Sequence, residues 1–517
     1  MSDPIPDPPV TSFWEVSSAL REILTRKLSP AEFAWAEPQL RKMGDLAARV
    51  VPPLAAAADR DSPRLVTHTP AGQRINRVDY HPSYREMEAI AYGSGMVAMK
   101  YDPAILAAHR SSIHLVSFAH GYLFAMAEMG LYCPVCMTDG VARIVTRHGT
   151  PEQAARVVPR MGARDAAERW TGAMFLTERA GGSDVGANET IARRDRDGRW
   201  RLTGHKWFCS NVDAHAALVT ARPEGAAAGT KGLRTFLLLP RDNAGVEIER
   251  LKEKLGVRSM PTGEVRLTDA EAEEVGGFGA MLEMMNLSRL YNAVASVAVI
   301  GRAIHEARHY IERRVAFGRP VIEHPLAHET LLDLEAEHLA ALLMTFETVD
   351  ALQRADDGDE EAGRVHRALV PIVKAVTGKL AVPCVSEAME LIGGNAYIEE
   401  SPLPRMLRDV QVLPIWEGTT NIIVLDALRV ARKEGGHEIL LSRIRRQLPR
   451  EAEEIGAAFS SLDERGARGW VDRLARAFEL TLLAEVGKGD ALERLRERPL
   501  GLVPGAAPMR AGVTVSS

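Results

Sequence analysis

The order of secondary-structure signals along the chain limits its fold more than any other feature. Dense helix-forming segments, such as residues 86–100, occupy about the first 170 residues. From Thr171 the pattern changes to short strand-like segments, and Asp197-Gly198 predicts a hairpin turn between two of them. Helix-forming segments return from Glu283. This order predicts a multidomain α+β protein in which a small β domain lies between helical regions.

Length, composition and charge define the class of protein. A chain of 517 residues with 46% hydrophobic and 26% charged residues is typical of a globular protein with several domains. Its net charge of −5 provides no overall attraction to nucleic acid, so DNA binding would need a local basic patch. Four cysteines do not indicate a disulfide framework, which predicts a cytoplasmic location. No apolar run is expected to span a membrane.

A carboxylate in an apolar setting marks the candidate catalytic segment. Residues 415–421 read Ile-Trp-Glu-Gly-Thr-Thr-Asn, so two bulky apolar side chains precede Glu417. Burial against them would raise the pKa of Glu417 toward the range of a general base. Thr419 or Thr420 is expected to cap the helix that follows, and the free N–H groups at a helix start favour a phosphate. The alternative is a loop-to-helix junction with a solvated glutamate.

A glycine-containing loop is the second candidate binding segment. An extended apolar segment ends near Thr177 and is followed by Gly181, Gly182 and Ser183. The two glycines let the backbone approach a ligand closely, and the Ser183 hydroxyl could hydrogen-bond a pyrophosphate. Without other motifs, a glycine loop after a strand is a weak signal.

Together these segments resemble the acyl-CoA dehydrogenase family, flavoenzymes in which a glutamate removes the α-proton of an acyl thioester. Further family motifs occur in the expected order at residues 206–211, 314–318, 393–395 and 408–409. More narrowly, Trp416, Asn421 and the run 425–430 resemble a branch of the family that is induced by DNA-alkylating stress.

The resemblance implies an acyl-CoA dehydrogenase fold with one added region. The implied parts are a helical N-terminal domain at 1–170, a middle β-barrel at 171–272, a helical bundle at 273–432 that carries the catalytic glutamate, and an extra C-terminal helical domain at 433–517. The resemblance also implies bound FAD and a homotetramer, in which the residues around Arg314 and the Gly393 turn contribute across a subunit interface.

The roles of individual residues are also implied by the resemblance. Glu417 would be the catalytic base, because Arg289 stands at the position where some relatives carry the base instead. Phe208 would lie on the flavin ring, where relatives usually place tryptophan, and Ser210 would lie beside flavin N5. The residues implied in FAD binding are Met174, Leu176, Thr177, Gly182, Ser183, Phe208, Ser210, Arg314, Gly393, Gly394, Ile415, Trp416, Gly418, Thr419 and Asn421.

Two short motifs suggest metal or redox chemistry and have simpler explanations. Cys133 and Cys136 form a C-x-x-C pair, but without a second pair we interpret them as buried and unreactive thiols. His305 and His309 flank a glutamate in the H-E-x-x-H pattern of zinc proteases. The sequence indicates no third ligand, so we interpret this segment as part of a long helix and predict no metal site.

Two segments of the C-terminal half predict local structure and no catalytic or binding role. Residues 356–361 are all acidic apart from one glycine, and we expect a solvated loop there because like charges disfavour packing. Near the C-terminus, Trp470, Leu474, Phe478 and Leu482 recur every four residues, which predicts a helix with a buried apolar stripe.

A cluster of arginines is the candidate DNA-binding surface. Residues 431–517 contain 15 Arg and Lys and 13 Asp and Glu, a net charge of only +2. The densest basic group in this region consists of Arg443, Arg445, Arg446 and Arg450. Arg446 and Arg450 would share a helical face unless Pro449 breaks the helix first. The alternative is that these arginines pair with nearby glutamates on the surface.

Three functional hypotheses remain open from the sequence. The first is a flavoprotein of the alkylation-response branch that binds double-stranded DNA and retains weak or residual acyl-CoA dehydrogenase activity. The second is a metabolic acyl-CoA dehydrogenase in which Glu417 removes the α-proton while the β-hydride passes to flavin N5. The third is a DNA-binding stress protein in which FAD is structural.

Overall fold

The structure is a computed structural model that describes residues 11–496. Residues 1–10 and 497–517, at the ends of the first and last predicted domains, lie outside the described part. The elements follow in the order helices, strands and helices, so the predicted α+β fold is confirmed. The domain boundaries at 170, 272 and 432 stay predictions.

Helices dominate the part of the chain before the strands of the middle domain. The elements are α1 (Phe13–Val16), α2 (Ser18–Lys27), α3 (Pro30–Arg49), α4 (Val51–Arg60), β1 (Arg64–His68), β2 (Arg74–Asp79), α5 (Pro82–Gly93), α6 (Pro103–His109), α7 (Ile113–Ala125), α8 (Tyr132–His148) and α9 (Pro151–Met161). α7 is buried along its whole length because its side chains are mostly apolar or small. It therefore lies in the interior rather than on the surface.

Seven strands form the middle domain. They are β3 (Gly172–Phe175), β4 (Ile191–Arg194), β5 (Trp200–Ser210), β6 (Ala216–Pro223), β7 (Arg234–Leu238), β8 (Val246–Leu251) and β9 (Thr262–Gly277). β6, β4, β5, β9 and β7 pair in that order, and β7 pairs back to β6. This closure makes the sheet a barrel, as predicted, with Gly198 (φ +78°) in the turn between β4 and β5. Phe175, Leu202 and Phe236 are among the buried side chains that fill it.

The β1–β2 hairpin lies against the barrel. Arg74 Nη2 donates to Ile248 O of β8 at 2.6 Å, and Asn76 Nδ2 donates to Val246 O at 2.7 Å. The Asn76 side-chain oxygen accepts from Ile248 N at 3.0 Å. These bonds satisfy backbone groups along β8, so the hairpin covers a barrel strand that would otherwise be open to other chains.

A helical bundle follows the barrel. Its elements are α10 (Phe278–Arg313), β10 (Val315–Ala316), β11 (Arg319–Pro320), α11 (Pro325–Asp356), α12 (Glu360–Ile392), α13 (Leu403–Val410) and α14 (Thr420–Glu434). α10 packs on α11 and α12, and also on α7 and α8. The bundle and the N-terminal helices therefore share one apolar core.

One bundle helix is apolar enough to cross a membrane by length and composition, contrary to the expectation that no such run exists. This helix is α12, whose most apolar window has a mean hydropathy of 1.6. In the fold 83% of that window is buried inside the protein. The apolar composition of α12 is explained by its position between α10, α11 and α14 in the core.

Four helices follow the bundle: α15 (Gly436–Gln447), α16 (Pro449–Ser460), α17 (Ala467–Glu485) and α18 (Gly489–Arg496). The predicted apolar stripe on α17 is confirmed, because Trp470, Leu474, Phe478 and Leu482 are all buried. α17 packs on α11, and α15 packs on α12. These helices extend the bundle core and do not form a separate one.

The acidic run at 356–361 is only in part the solvated loop that was expected. Asp356 is the last residue of α11 and accepts hydrogen bonds from Arg143 Nη1 at 2.6 Å and Nη2 at 2.8 Å. His114 Nε2 lies 2.8 Å from the same carboxylate. Although burial opposes it, the contacts with Arg143 and His114 hold the pKa of Asp356 well below its usual range. The rest of the run is largely solvated: Asp357 and Gly358 are exposed in the turn, and Glu360 and Glu361 are exposed at the start of α12.

Candidate active site

Glu417 lies in a tight turn between α13 and α14 whose backbone conformation is unusual. Its φ is +58°, and Gly418 follows with φ +106°. A non-glycine residue in the left-handed region costs roughly 1–3 kcal/mol and persists only where the surroundings fix it. Three side chains do so here by donating to backbone carbonyls: Arg289 Nε to Glu417 O at 3.3 Å, Lys374 Nζ to Gly418 O at 2.5 Å, and Asn292 Nδ2 to Leu413 O at 3.1 Å.

The Glu417 side chain borders a small cavity between α8 and α10. This cavity has a volume of about 20 Å³, room for roughly one water molecule. The residues that line it are Met129, Tyr132, Cys133, Cys136, Met137, Ser288, Tyr291, Asn292, Ala295, Trp416 and Glu417. Burial raises the pKa of Glu417, while the Ser288 hydroxyl and the charges of Arg289 and Lys374 oppose the rise. The raised pKa that the sequence predicted is therefore present.

The neighbours that desolvate Glu417 differ in part from those predicted. Trp416 lines the cavity, but the Ile415 side chain is 58% exposed and points away from it. Residues of α8 and α10 bury the carboxyl in its place, because the turn faces inward between these two helices. Thr419 does precede α14, yet its hydroxyl makes no capping hydrogen bond. The predicted cap is therefore correct in position and wrong in its side-chain bond.

Ser288, which sequence reasoning missed, is the α10 residue that faces the carboxyl. It lines the Glu417 cavity and bonds the Glu417 side chain, whereas Arg289 lines a different cleft. Arg289 Nη1 donates to Asp426 Oδ2 at 2.6 Å and Nε reaches the Glu417 carbonyl. Ser288 is thus the α10 residue that faces the base, and Arg289 supports the turn through the Glu417 carbonyl.

The glycine loop and β5 bring a second group of predicted residues together at one side of the barrel. Trp207 N donates to Thr177 O at 2.9 Å, which joins the end of β3 to β5. A side chain at Gly182 would come within 2.7 Å of Thr177 Oγ1, so glycine is required for this approach. Ser210 Oγ lies 3.2 Å from Thr262 Oγ1, and the Phe208 ring is 55% exposed. Of the other predicted residues here, Met174 and Leu176 lie in or beside β3, and Ser183 is exposed.

A buried ion pair fixes this loop on the barrel, and sequence reasoning missed it too. Lys206 Nζ donates to Glu178 Oε1 at 2.5 Å with both side chains almost fully buried. The Thr190 hydroxyl donates to the same oxygen at 2.6 Å. Fully buried charges are kept only when they are paired. A lysine and a glutamate inside otherwise apolar strand segments were the available signal.

Arg314, Gly393 and Gly394 lie away from the Glu417 cavity and do not line it. They meet instead where α10 and α12 end, and Asn395 Nδ2 donates to Tyr310 Oη at 2.8 Å between the two segments. Gly393 has φ +79° and ends α12. Large apolar side chains around these ends are exposed: Val315, Phe317, Leu326, Tyr397 and Ile398. We name this set the apolar end patch.

The C-x-x-C pair lies at the candidate active site, a position that its spacing does not predict. Cys133 and Cys136 are free thiols on the first turns of α8 and both line the Glu417 cavity. Burial raises the pKa of Cys133 to about 12 and that of Cys136 well above its usual range. Both therefore stay protonated at neutral pH, which supports the interpretation as unreactive thiols.

The H-E-x-x-H segment lies within α10. Glu306 is bound to Arg302, whose Nε donates to it at 2.6 Å, and His305 packs edge-on against Phe13. Within residues 11–496 no third ligand accompanies the two histidines; the one group of three close potential ligands is His205, Glu249 and Glu264 on the barrel. The carboxylates of that group already pair with Arg250, Lys252 and Arg266.

The predicted DNA-binding arginines are not a single free cluster. Arg443 Nη1 donates to Glu347 at 2.5 Å and Nη2 donates to Glu485 at 2.6 Å, so its charge is compensated. Arg450 Nε donates to Glu454 at 2.9 Å, as the alternative interpretation expected. Arg445 and Arg446 are exposed at the end of α15. Because α15 ends before Pro449, which begins α16, Arg446 and Arg450 lie on different helices.

Comparison with known proteins places the chain in a family. Its residues 173–270 match the acyl-CoA dehydrogenase middle domain, and residues 276–431 match the acyl-CoA dehydrogenase C-terminal domain. Residues 7–166 match the N-terminal domain of the adaptive response protein AidB. The chain belongs to the acyl-CoA dehydrogenase family. Within that family its N-terminal region is AidB-like.

Two named relatives and one solved structure are similar to this chain over most of their own length. Acyl-CoA dehydrogenase family member 11 of Caenorhabditis elegans is 36% identical over 82% of this chain and 71% of its own length. The protein named putative acyl-CoA dehydrogenase AidB of Escherichia coli is 32% identical over 78% of this chain and 79% of its own. The solved structure of Caenorhabditis elegans ACDH-11 in complex with C11-CoA superposes with a TM-score of 0.88 at 30% identity, covering 96% of this chain and 93% of that one.

As a member of the acyl-CoA dehydrogenase family, the protein is an FAD-dependent oxidoreductase that acts on the CH–CH bond of acyl-CoA. Its residues fit a flavin at the open side of the barrel. Phe208 offers an exposed ring beside the Ser210 hydroxyl, and the Gly182 loop allows close backbone approach. The buried Trp416 Nε1 has no hydrogen-bond partner within the described residues, which leaves a donor for a ligand.

Proposed function

We propose that the protein dehydrogenates an acyl-CoA with Glu417 as the catalytic base. The observation that carries the proposal is a half-buried carboxyl of raised pKa, held in a strained turn beside a small cavity. A carboxylate of raised pKa accepts a proton more readily than an ordinary surface carboxylate. The Glu417 carboxylate takes the α-proton of the thioester, and a double bond forms between the α and β carbons. Bound FAD supplies the acceptor for the β-hydride that leaves.

The chain's own residues divide into three groups around this reaction. We propose that Thr177, Gly182, Ser183, Phe208 and Ser210 hold the flavin from the barrel side. The turn that precedes α14 and the first helical turn of α14 hold the flavin from the other side, through Ile415, Trp416, Gly418, Thr419 and Asn421. Met174 and Leu176, in and just after β3, contribute to the same flavin site, while Arg314, Gly393 and Gly394 serve the cofactor of a neighbouring subunit.

The test is reduction of the FAD-loaded protein by a panel of acyl-CoAs, followed at the flavin absorption band. We expect at least one acyl-CoA to bleach the wild-type flavin. Glu417→Gln should keep FAD bound and lose this reaction by about 10²–10⁴-fold, because the carboxamide accepts no proton. Undiminished reduction of the Gln variant would assign the base to another residue. No reduction by any acyl-CoA would overturn the proposed activity.

The protein is also proposed to assemble as a homotetramer. The support is the apolar end patch, whose five large side chains are exposed together beside Arg314 and the Gly393 turn. Exposed apolar groups that cluster in this way are typical of subunit interfaces. Light scattering of the FAD-loaded protein would give its mass in solution. A monomer at micromolar concentration would contradict the proposal.

A second candidate function is protection of DNA during alkylation stress, with weak dehydrogenase activity. Its support is the match to the AidB N-terminal domain and the exposed pair Arg445 and Arg446. We propose that this pair contacts the phosphates of duplex DNA without sequence preference. Each neutralised phosphate contributes a slope of about 0.9 to the dependence of log affinity on log salt. A protein with two such contacts would therefore bind weakly at physiological salt.

The DNA hypothesis is tested by salt titration of duplex binding. Charge reversal at Arg445 and Arg446 together should weaken binding and reduce the slope by roughly 2. The matched control reverses Arg193 and Arg196 in the β4–β5 hairpin, which changes net charge equally at another exposed site. Equal losses in both variants would show a net-charge effect only. Absence of binding at low salt would reject the DNA role.

A further inference from the structure

Lys374 of α12 is a fully buried cation without the partner that such a group normally has. Its exposed fraction is 0%, and its Nζ donates to the Gly418 carbonyl at 2.5 Å. Within residues 11–496 it forms no ion pair, whereas the equally buried Lys206 pairs with Glu178 at 2.5 Å. Burying an ammonium group without compensation is costly. An ammonium group in this position keeps its charge only as far as a nearby negative charge acts on it.

Glu417 is the carboxylate that acts on this lysine. It follows from the turn geometry, because the carbonyl that Lys374 binds belongs to the residue directly after Glu417. Burial lowers the pKa of Lys374 to about 7, the Glu417 charge opposes that fall, and Arg289 adds to it. Each of the two buried groups thus favours the ionised form of the other.

Arg289 also acts on Glu417, but it is held on the other side of the turn by a carboxylate that it shares with other arginines. It donates to Asp426 of α14 at 2.6 Å, and Arg367 of α12 donates to the same carboxylate at 3.0 Å. Arg289 reaches only the backbone carbonyl of Glu417. Two cations therefore hold adjacent carbonyls of one strained turn, and the charges of both favour the ionised form of Glu417.

We infer that Lys374 is a positioning residue for Glu417, which fixes the catalytic turn through the Gly418 carbonyl and places a cation beside the base. This inference rests on the proposed role of Glu417. α12 runs between α10, α11 and α14 in the core, so the lysine is delivered from the rigid centre of the bundle. A side chain fixed by such packing can hold a reacting group within the narrow geometry that catalysis requires.

Apart from Arg289, whose charge also acts on Glu417, the other groups that face the carboxyl are neutral or act on it only through Cys133. From α10 come the neutral Ser288 hydroxyl and Tyr291, and Tyr132 comes from α8; burial raises the pKa of both tyrosines well above their usual range. From α8 come Cys133 and Cys136, whose raised pKa values keep them neutral. Lys254, in the segment between β8 and β9, acts on Cys133, and burial lowers the pKa of Lys254 to about 8. Removal of the Lys374 charge should consequently raise the pKa of Glu417.

The first experiment measures the rate of flavin reduction against pH in the FAD-loaded protein. In Lys374→Met the acid limb of the profile should move up by roughly one pH unit, as expected for loss of an opposite charge near a carboxyl. Lys374→Arg keeps the charge and should keep the limb, although its longer side chain lowers the plateau rate. Lys379→Met is the matched control, because Lys379 is exposed on the same helix. An unmoved limb in Lys374→Met would overturn the inference.

The second experiment does not depend on turnover or on the stability of the methionine variant. NMR titration of protein with ¹³C-labelled lysine side chains follows Lys374, whose signal is identified by its loss in Lys374→Arg. Glu417→Gln removes the carboxylate and should lower the Lys374 midpoint, since the ammonium form loses its partner. A midpoint equal to that of wild type would overturn the coupling. If no acyl-CoA reduces the flavin, this titration still tests the Lys374–Glu417 pair separately from the proposed activity.

Discussion

Gly418, the residue directly after the candidate base, has no acceptable substitute. Its φ of +106° disfavours any side chain, and a Cβ there would lie 2.9 Å from Ile423 Cδ1. Gly418→Ala should displace the turn and slow flavin reduction by about tenfold or more, because a shift of about 1 Å in a reacting group has effects up to 10²-fold. The matched control is Gly279→Ala at the start of α10, where a Cβ meets nothing within 4 Å. Equal rates in wild type and Gly418→Ala would show that the turn tolerates a side chain.

At the same scale, the sequence predicted the chemistry of the site better than its contacts. Of the apolar neighbours of Glu417, Trp416 correctly indicated a raised pKa and Ile415 did not contribute to it, while the spacing correctly placed Thr419 before a helix. Ser288 and Lys374 could not be found in this way. Both lie far from Glu417 along the chain and reach it only because α10 and α12 pack beneath the turn. Local patterns carry no information about which buried lysine meets which carbonyl.

Between elements, a buried carboxyl of α17 should make stability depend on pH. Burial raises the pKa of Glu479 to about 8, although Arg476 lies beside it and Glu337 of α11 shares that arginine. Its ordinary unfolded value is about 4.3. A raised folded pKa gives stability that is complete below the unfolded pKa and is lost as pH rises toward about 8. Between these two pKa values, Glu479 therefore binds a proton in the folded state that it has released in the unfolded state.

Glu479→Gln tests this, because the amide is neutral at every pH. The difference in Tm between the variant and wild type should shift in favour of the variant from pH 5.5 to pH 8.5, by about 2 °C or more. Thermal unfolding at the two pH values measures it. Glu453→Gln, on the exposed surface of α16, serves as the control. A difference that is independent of pH would mean that Glu479 is ionised in the fold, with Arg476 serving both carboxylates.

Individual helices and turns could be predicted from the sequence where a single local pattern determines them. The α17 stripe and the Gly198 turn were predicted correctly from spacing alone. The break before Pro449 was foreseen as an alternative, and proline chemistry decided it. Barrel closure came from resemblance, because strand patterns do not show which edges pair. The acidic run was misjudged for the same reason, since the partner of Asp356 is Arg143 on a distant helix.

For the whole molecule, the apolar end patch should control assembly. Phe317 is 97% exposed and Tyr397 is 85% exposed, which an isolated subunit would not favour. Phe317→Glu should dissociate the proposed tetramer, measured by light scattering, and reduce FAD retention because Arg314 adjoins the patch. Val50→Glu places the same charge on an exposed apolar position elsewhere. A Phe317→Glu protein of unchanged mass would exclude this surface from the interface.

The two ends of the described chain meet at α2, and this affects the order in which the protein can be completed during synthesis. Glu347 of α11 is bound by Lys27 of α2 at 2.8 Å and by Arg443 of α15 at 2.5 Å. Arg26 of α2 also donates to Val486 O, at the end of α17, at 3.1 Å. Because a ribosome releases the C-terminal segment last, α2 must wait for most of translation before these contacts exist. A nascent chain stalled before α15 would expose a half-neutralised Glu347 and the apolar faces of α11 and α12, a surface that chaperones are expected to cover until α15 and α17 emerge.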